Sequence, residues 1–317
     1  MHQSLSKAGP KVVEERAFSK AAFTLVELLV SIAVLALIVI LVAQLTNSSA
    51  TITKNSTKHM DADSQARVIF SRMALEFSKM LKRSDIDFST FKQPSNPQIG
   101  NDQFAFYAET TGTYPSTAPT PSTTDKAQVS LIAYNVAVDP YNGQTVLRRM
   151  TKGLGWDPAD ATSTSAWMNV VYLPATLITK WPTLFGTDPD YRSVGDQVFR
   201  VEYSYLLKPT ATQPGRISIT PWDTTTNPPH TTIDGFKDVA AIVMTIAVLD
   251  STSRIILSNA QYIGVANTLA DAQDNRDTKT TWSGVVNSGS FAATAGIPSA
   301  AASAVRIYER SFYLDPL

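Results

Sequence analysis

The sequence predicts an α+β fold: a long N-terminal helix packed on a mostly antiparallel β-sheet head. Three observations carry that prediction. An almost wholly apolar run occupies residues 23–43. No Gly or Pro interrupts the chain from Lys11 to Gln93. From about residue 100 onward, short runs of alternating or β-branched residues dominate. A helix followed by strands is the order of an α+β chain.

The N-terminal end is polar and basic, with Lys7, Lys11, Arg16 and Lys20. The apolar run, Phe23 to Ala43, would be about 31 Å long as a helix. A bilayer's hydrocarbon core is about 30 Å thick. The run holds fifteen large Leu, Ile, Val and Phe residues, which together favour insertion by on the order of 7 kcal/mol. These basic residues all lie before the run, so the N-terminus is expected on the cytoplasmic side and residues 46–317 on the other.

Glu27 breaks the pattern. A carboxylate in lipid costs on the order of 3 kcal/mol, and an intramembrane charge is a functional hypothesis with a partner to be named. The plainer reading places Glu27 at the interface, reaching headgroup water.

Beyond the span, Thr, Ser and Asn crowd residues 46–57. They are poor helix formers, and a bend is expected there. Ala62, Ala66, Ile69, Met73, Phe77, Met80 and Leu81 then recur at helical spacing. They mark one face of an amphipathic helix lying on a core. Asp63 and Arg67 stand four apart on another face, where they can pair. The helix as a whole should span about residues 24–84, roughly 90 Å.

Candidate strands follow at Phe104–Ala108, Val129–Val138, Thr145–Met150, Gln197–Leu207, Arg216–Thr220, Val239–Leu249, Arg254–Leu257 and Val305–Leu314. Asp139-Pro140-Tyr141-Asn142-Gly143 is a turn signal that makes 129–150 a hairpin. Asp250-Ser251-Thr252-Ser253 reads as a second turn between strands. Ser258–Ala272 reads as a helix. Residues 109–126, 151–165, 221–235 and 283–303 read as loops.

Composition excludes several functions. Basic and acidic residues balance at 27 each, so no electrostatic footprint for nucleic acid exists. With no cysteine, no disulfide staples the fold and no thiolate binds metal or attacks substrate. His2, His59 and His230 stand apart, with no ligand partner at metal spacing. No nucleophile elbow, P-loop or dinucleotide fingerprint occurs. Neither an enzyme nor a cofactor is expected. Asp271, Asp274 and Asp277 form a D-x-x-D-x-x-D series, a weak candidate for calcium that reads more simply as a solvated acidic turn beside Arg276 and Lys279. Trp156, Trp167, Trp181, Trp222 and Trp282 all lie in or next to predicted loops, as contact anchors or as caps on a sheet.

The stretch AFTLVELLVSIAVLALIVI resembles the start of a type IV prepilin or a type II secretion pseudopilin. That family has a small residue, usually Gly, then Phe-Thr-Leu-[Val/Ile]-Glu and an apolar helix behind a basic leader. The resemblance covers about 20 residues, and Phe23 to Leu28 fit the pattern without a gap. It implies cleavage by prepilin peptidase between Ala22 and Phe23, N-methylation of Phe23, and an assembly role for Glu27. Ala22 departs from the family's preferred Gly but is still small. It further implies four parts: a leader at 1–22, a transmembrane helix at 23–45, an amphipathic helix at 46–84 and a β-rich head at 85–317. The partners it implies are other pilin-like subunits and an inner-membrane assembly platform, with the head in the periplasm. Chain size, Phe236-Lys237-Asp238-Val239 and the ending Tyr308-Glu309-Arg310-Ser311-Phe312 look most like a J-type minor pseudopilin.

Cleavage at Phe23 would create an ammonium near Glu27. Opposite charges attract strongly in a low-dielectric region. The glutamate can meet its own amine, a neighbouring subunit's amine, or simply stabilise the helix N-terminus. The resemblance implies the neighbour. Competing readings are a secretory signal cut near Ser48-Ser49-Ala50, for which the apolar run is too long, and a plain single-span anchor. The second function class is a membrane-tethered binding module that does not polymerise; the third, an enzyme on a tether, has no motif behind it.

Overall fold

The computed structural model describes residues 24–92, 100–112, 128–141, 143–153, 177, 184–185 and 188–314. The chain divides into two units, Met1–Lys54 and Asn55–Leu317. Helix α1 runs from Leu25 to Ser78, so it supplies the described part of the first unit and the first element of the second.

The bend expected at 46–57 is not a break. The hydroxyls of Thr46, Thr51 and Thr53 donate to the carbonyls of Val42, Asn47 and Ser49 at 2.8, 2.9 and 2.9 Å. Those side chains bond inside the helix instead of drawing the backbone out of it. The helix does end earlier than the expected residue 84. Lys79 and Met80 donate to the carbonyls of Glu76 and Phe77, a tighter i→i−3 turn. Met80 then bridges to Ala108, and Leu81 N–H donates to Tyr107 O at 2.8 Å. Pairing with a strand wins over another helical turn.

The second unit contains two antiparallel sheets. The first has the order β1-β2-β3-β4-β5, from Ser89–Phe91, Gly100–Ala108, Ser130–Val138, Thr145–Gly153 and Arg192–Gly195. The second has the order β7-β6-β8-β9, from Arg216–Ser218, Val198–Leu207, Val239–Val248 and Arg306–Tyr313. The predicted hairpin is present: β3 and β4 pair from Ser130↔Gly153 to Val138↔Thr145. Its turn closes with Gly143 N–H on Asp139 O at 2.8 Å, and Gly143 takes φ +68°, a region that suits glycine.

Strand alternation sorts the side chains into three cores. The main core joins the predicted stripe from Ala62 to Met80, plus Phe70, to Phe104, Phe106, Ile132, Tyr134, Val136 and Leu147 of the first sheet; Leu81, expected in the stripe, is half-buried against a different core. It also takes in Val201, Tyr203, Tyr205, Ile242, Met244, Ile246 and Phe312 of the second. Phe77 shows how the helix ties the sheets together. Its ring centroid lies 5.5 and 5.1 Å from Phe104 and Phe106, and 4.9 Å from Phe312. A further core collects Ala105, Tyr107, Leu131, Ala133, Met150, Leu177, Leu184 and Tyr191, residues that alternate with the helix-facing set along β2 and β3.

The remaining core departs from expectation. Asp250-Ser251-Thr252-Ser253 does not join two strands, and Arg254–Leu257 is not a strand. Asp250 caps a short helix α2, Ser251–Ile255, by accepting Ser253 N–H at 3.1 Å. The same Asp and Ser chemistry that makes turns also caps helices. Helix α3, Asn259–Asn267, lies inside the predicted 258–272 and opens with a capping box between Ser258 and Gln261. Residues 283–303 are not a loop. They hold the end of α4 (Thr278–Val286), then α5 (Phe291–Ala295) and α6 (Ser299–Ala302). Their alanines are packing residues: Ala295, Ala301 and Ala302 are buried with Phe199, Ala247, Leu257, Tyr262 and Trp282. The predicted loop 221–235 contains only a single 3-10 turn, Thr232–Asp234.

Candidate functional site

In the first unit, every described residue from Thr24 to Lys54 is exposed. Leu25, Val26, Val30, Leu35 and Ile38 are each at least half accessible, on all sides of the helix. A helix apolar all round needs a membrane or other helices to cover it. This one is long and apolar enough to cross a membrane. Glu27 is the only charged residue from Thr24 to Thr53.

The carboxylate of Glu27 closes a reciprocal cap. Its Oε2 accepts Thr24 N–H at 2.9 Å and the Thr24 hydroxyl at 3.0 Å, and Glu27 N–H donates back to Thr24 Oγ1 at 3.3 Å. Thr24-Leu25-Val26-Glu27 is therefore a T-x-x-E capping box, a signal visible in the sequence that the family motif overshadows. Both Thr24 bonds use one oxygen, so Oε1 remains open among the described residues. Ala22 and Phe23, the expected cleavage and methylation positions, lie outside the described residues.

Along α1 in the second unit, a further stripe stands opposite the buried one. Thr57, Met60, Ser64, Val68, Ser71, Leu75 and Ser78 recur every three or four residues; all are exposed and none is charged. Met60, Val68 and Leu75 are 68, 64 and 57% accessible. Helical spacing this regular offers a continuous seam.

The weak calcium series does not converge. Asp271 pairs with Arg200 at 2.7 Å, Asp274 accepts Ile219 N–H at 2.8 Å, and Asp277 caps α4 by accepting Lys279 N–H at 3.1 Å. Each carboxylate has its own structural task. Among the described residues no group of three or more His, Asp or Glu side chains is placed to hold a metal ion. Trp282 is not a surface anchor either: it is fully buried on α4, its Nε1–H donating to Ala270 O at 2.7 Å. Trp222 is half-buried, and Trp156, Trp167 and Trp181 lie outside the described residues. Asp63 accepts the Tyr308 hydroxyl, and His59 receives Arg306 Nε–H at 2.8 Å.

Two buried ionic clusters had no place in the sequence reading. The first surrounds Arg200 and Glu202 of β6. The Arg200 guanidinium reaches Glu202 at 2.8 Å and Asp271 at 2.7 Å, and donates to Asn101 Oδ1 at 3.0 Å. Lys92 sits 2.5 Å from Asp102 and 3.4 Å from Glu202. Three carboxylates thus share two cations. Burial, reinforced by the Asp102 charge, pushes the Glu202 carboxyl up to about 8, against the pull of Arg200 and Lys92. Arg200 and Glu202, two apart in a strand with no other charge, are the signal that could have found it.

The second cluster is Lys152 with Asp188 and Asp190. The Lys152 ammonium lies 3.0 Å from Asp188 Oδ1 and touches Asp190 Oδ2; the three side chains are 2, 3 and 6% accessible. Asp190 N–H donates to Asp188 Oδ1 at 2.9 Å. No protein-family model, curated protein sequence or solved structure matches this chain.

Proposed function

We propose that this chain is a membrane-anchored filament subunit of the type IV pilin and pseudopilin class, with a structural role and no catalysis. In this reading prepilin peptidase cuts between Ala22 and Phe23, Phe23 is N-methylated, and the subunit joins other pilin-like subunits on an inner-membrane platform. The head stands on the periplasmic side, and the likeness of Phe236-Lys237-Asp238-Val239 and Tyr308-Glu309-Arg310-Ser311-Phe312 to a J-type minor pseudopilin of a type II secretion system favours that subtype.

The observation that carries the reading is Glu27. It is a lone carboxylate in an exposed apolar helix, and its Oε1 is open to a second partner. A neighbour's Phe23 ammonium would fill that position and fix a stagger between adjacent helices. The uncharged stripe from Thr57 to Ser78 supports the same reading, since it would let helices pack beyond the membrane.

One observation favours a second reading. The Thr24–Glu27 box already stabilises the helix end without any neighbour. A single-pass tethered binding module that does not polymerise needs nothing more. Mass spectrometry of the mature N-terminus separates the two. A methylated chain starting at Phe23 supports the filament subunit, and uncut precursor supports the tether. A chain starting at Thr51 would overturn both, because it would mean secretory cleavage.

A further inference from the structure

We propose that a phosphate group binds in the cavity between α1 and the α6–β9 connection, held by the Arg306 guanidinium and the Lys58 ammonium. The proposal rests on the second unit alone and is independent of the filament reading. The phosphate belongs either to a free ion or small phosphomonoester, or to a lipid headgroup, and the recognition chemistry is the same for both.

Three features of the cavity point there. The first is its size and lining. It measures about 220 Å³ and is lined by Lys58, His59, Ala300, Ser303, Ala304 and Arg306. That is room for roughly seven waters at about 30 Å³ each, so a phosphate group enters with a small substituent. Among the described residues no acid lines it. The second feature is charge. Arg306 is half-buried. Its Nη1 donates to the carbonyls of Ser303 and Val305 at 2.9 and 2.7 Å, and its Nε and Nη2 face the His59 ring. None of these partners is an acid, and no described carboxylate stands within ion-pair distance. Lys58 donates to Ser253 Oγ at 3.2 Å and lies 4.0 Å from Asp250, the outer limit of an ion pair. Two cations thus stand against one distant carboxylate, and a partly desolvated charge without a counterion is costly. The third feature is a mismatch of donors. Arg306 Nε and Nη2 lie 2.8 Å from His59 Nδ1 and Nε2 respectively. A neutral imidazole has one accepting nitrogen. With Nδ1 accepting, Nε2 carries its hydrogen and meets Nη2 donor against donor. The other tautomer moves the conflict to Nδ1, and an imidazolium doubles it. At least one guanidinium N–H therefore lacks an acceptor in every form of the ring.

A phosphate resolves all three. The Nε and Nη2 edge of a guanidinium is a fork that matches two phosphate oxygens, while Lys serves phosphate as a point charge. Turning that edge from the ring to an oxyanion exchanges one N–H···N bond and one donor conflict for two charge-assisted bonds. A carboxylate has two oxygens, which the fork alone occupies. A phosphate keeps a further oxygen for Lys58 or for the Ser303 hydroxyl.

The placement gives binding a structural consequence. Lys58 and His59 lie on α1, and Arg306 opens β9. His59 and Arg306 are 247 positions apart. A phosphate held by both elements joins the first helix of the second unit to its last strand. Because that site exists only in the folded chain, the ligand stabilises it by mass action.

The test is calorimetric titration of the full-length protein in detergent with sodium phosphate, glycerol 3-phosphate and sodium acetate at matched ionic strength. The expected result is saturable binding of both phosphates at one site per chain, with acetate weaker by about tenfold or more. Arg306→Gln and Lys58→Gln should each weaken phosphate binding by about tenfold, the loss of one charge-assisted contact. Circular dichroism establishes that each variant is folded. The comparison of phosphate with acetate on the wild type decides even if a variant is not. Reconstitution in phosphatidylcholine vesicles with and without phosphatidic acid separates the sources. Phosphate binding lost on adding phosphatidic acid supports the proposal with a lipid headgroup as ligand, and binding unchanged supports it with a free phosphate compound. No saturable phosphate binding in detergent overturns the proposal. So does equal affinity for acetate, which would mean a site for a carboxylate, and so does a folded variant of either kind that binds phosphate as the wild type does.

Discussion

The carboxylate of Glu76 accepts the Nε–H of Arg149 at 2.7 Å, in the seam between α1 and the first sheet. Its other oxygen accepts the Tyr134 hydroxyl. Glu76 is almost fully buried within the helical face that otherwise carries Met73, Phe77 and Met80. An apolar seam tolerates sliding by a turn; a charged pair at one fixed place does not. Glu76 thus sets the register of the helix on the sheet.

Removing one member should therefore cost more than the pair contributes. Glu76→Ala leaves the half-buried Arg149 guanidinium without its acid, and such a break costs roughly 3–5 kcal/mol. Replacing both residues by apolar ones should recover most of that loss. Urea unfolding of the single and double variants measures it. Additive losses in the double variant would show that the pair is not coupled.

The same seam predicts where the soluble body can begin. A fragment starting near Lys58 keeps Ile69, Phe70, Met73, Phe77 and Met80. Burying those five contributes roughly 8–15 kcal/mol, comparable with the whole stability of a domain. A fragment starting near Ser84 loses them and exposes the inner faces of both sheets, so it should aggregate. Size-exclusion profiles of the two fragments check this, and equally monodisperse peaks would mean that α1 is not core.

Glu202 gives the body a pH dependence of definite sign. Its carboxyl is raised from 4.5 to about 8, first by burial and then by Asp102. Between those values the folded chain holds a proton that the unfolded chain releases. Stability should fall as pH rises from about 4.5 to about 8, by up to about 1.4 kcal/mol per pH unit. Glu202→Gln mimics the protonated acid and should flatten that slope. Melting temperatures of wild type and variant across this range decide it; parallel slopes would assign the titration to another group.

How far the sequence reaches depends on which force fixes each element. The buried stripe of α1 was legible because helical periodicity and packing agree: Ala62, Ala66, Ile69, Met73, Phe77 and Met80 are all buried. The hairpin at 129–150 was legible because turn chemistry and alternation agree. Of the helices of 251–302 only α3 was, within the predicted 258–272; α2, α4, α5 and α6 were not. They are short, and Asp-Ser-Thr-Ser serves a cap as well as a turn, while Gly, Ser and Ala together hide a packed face. The end of α1 at Ser78 was set by pairing with β2, which no local signal announces. At the candidate site, the Thr24–Glu27 box is a four-residue signal and readable. The cluster at Arg200 shows only Arg200 and Glu202 locally, while its partner Asp271 lies 71 positions away; the cluster at Lys152 shows nothing locally, because it joins residues 38 positions apart.

The open Oε1 of Glu27 makes the last prediction the most discriminating. If Glu27 neutralises a neighbour's Phe23 amine, Glu27→Gln should still insert, since losing a charge makes insertion easier. Cleavage should also continue, because Ala22 and Phe23 are intact. The Thr24 cap should survive as well, because the Gln carbonyl oxygen can still accept the Thr24 N–H that Glu27 now takes at 2.9 Å. What should fail is entry into the filament. The neighbour's ammonium would lose its ionic partner at membrane depth, a loss of roughly 3–5 kcal/mol for a desolvated pair. A boundary carboxylate that only caps its own helix predicts almost no change. Site-specific crosslinking between apolar segments of adjacent subunits, wild type against Glu27→Gln, separates the two. A strong drop in crosslinking with normal cleavage assigns Glu27 to assembly. Equal crosslinking in both leaves it as a helix cap, and the filament mechanism then has to rest on the uncharged stripe of α1 alone.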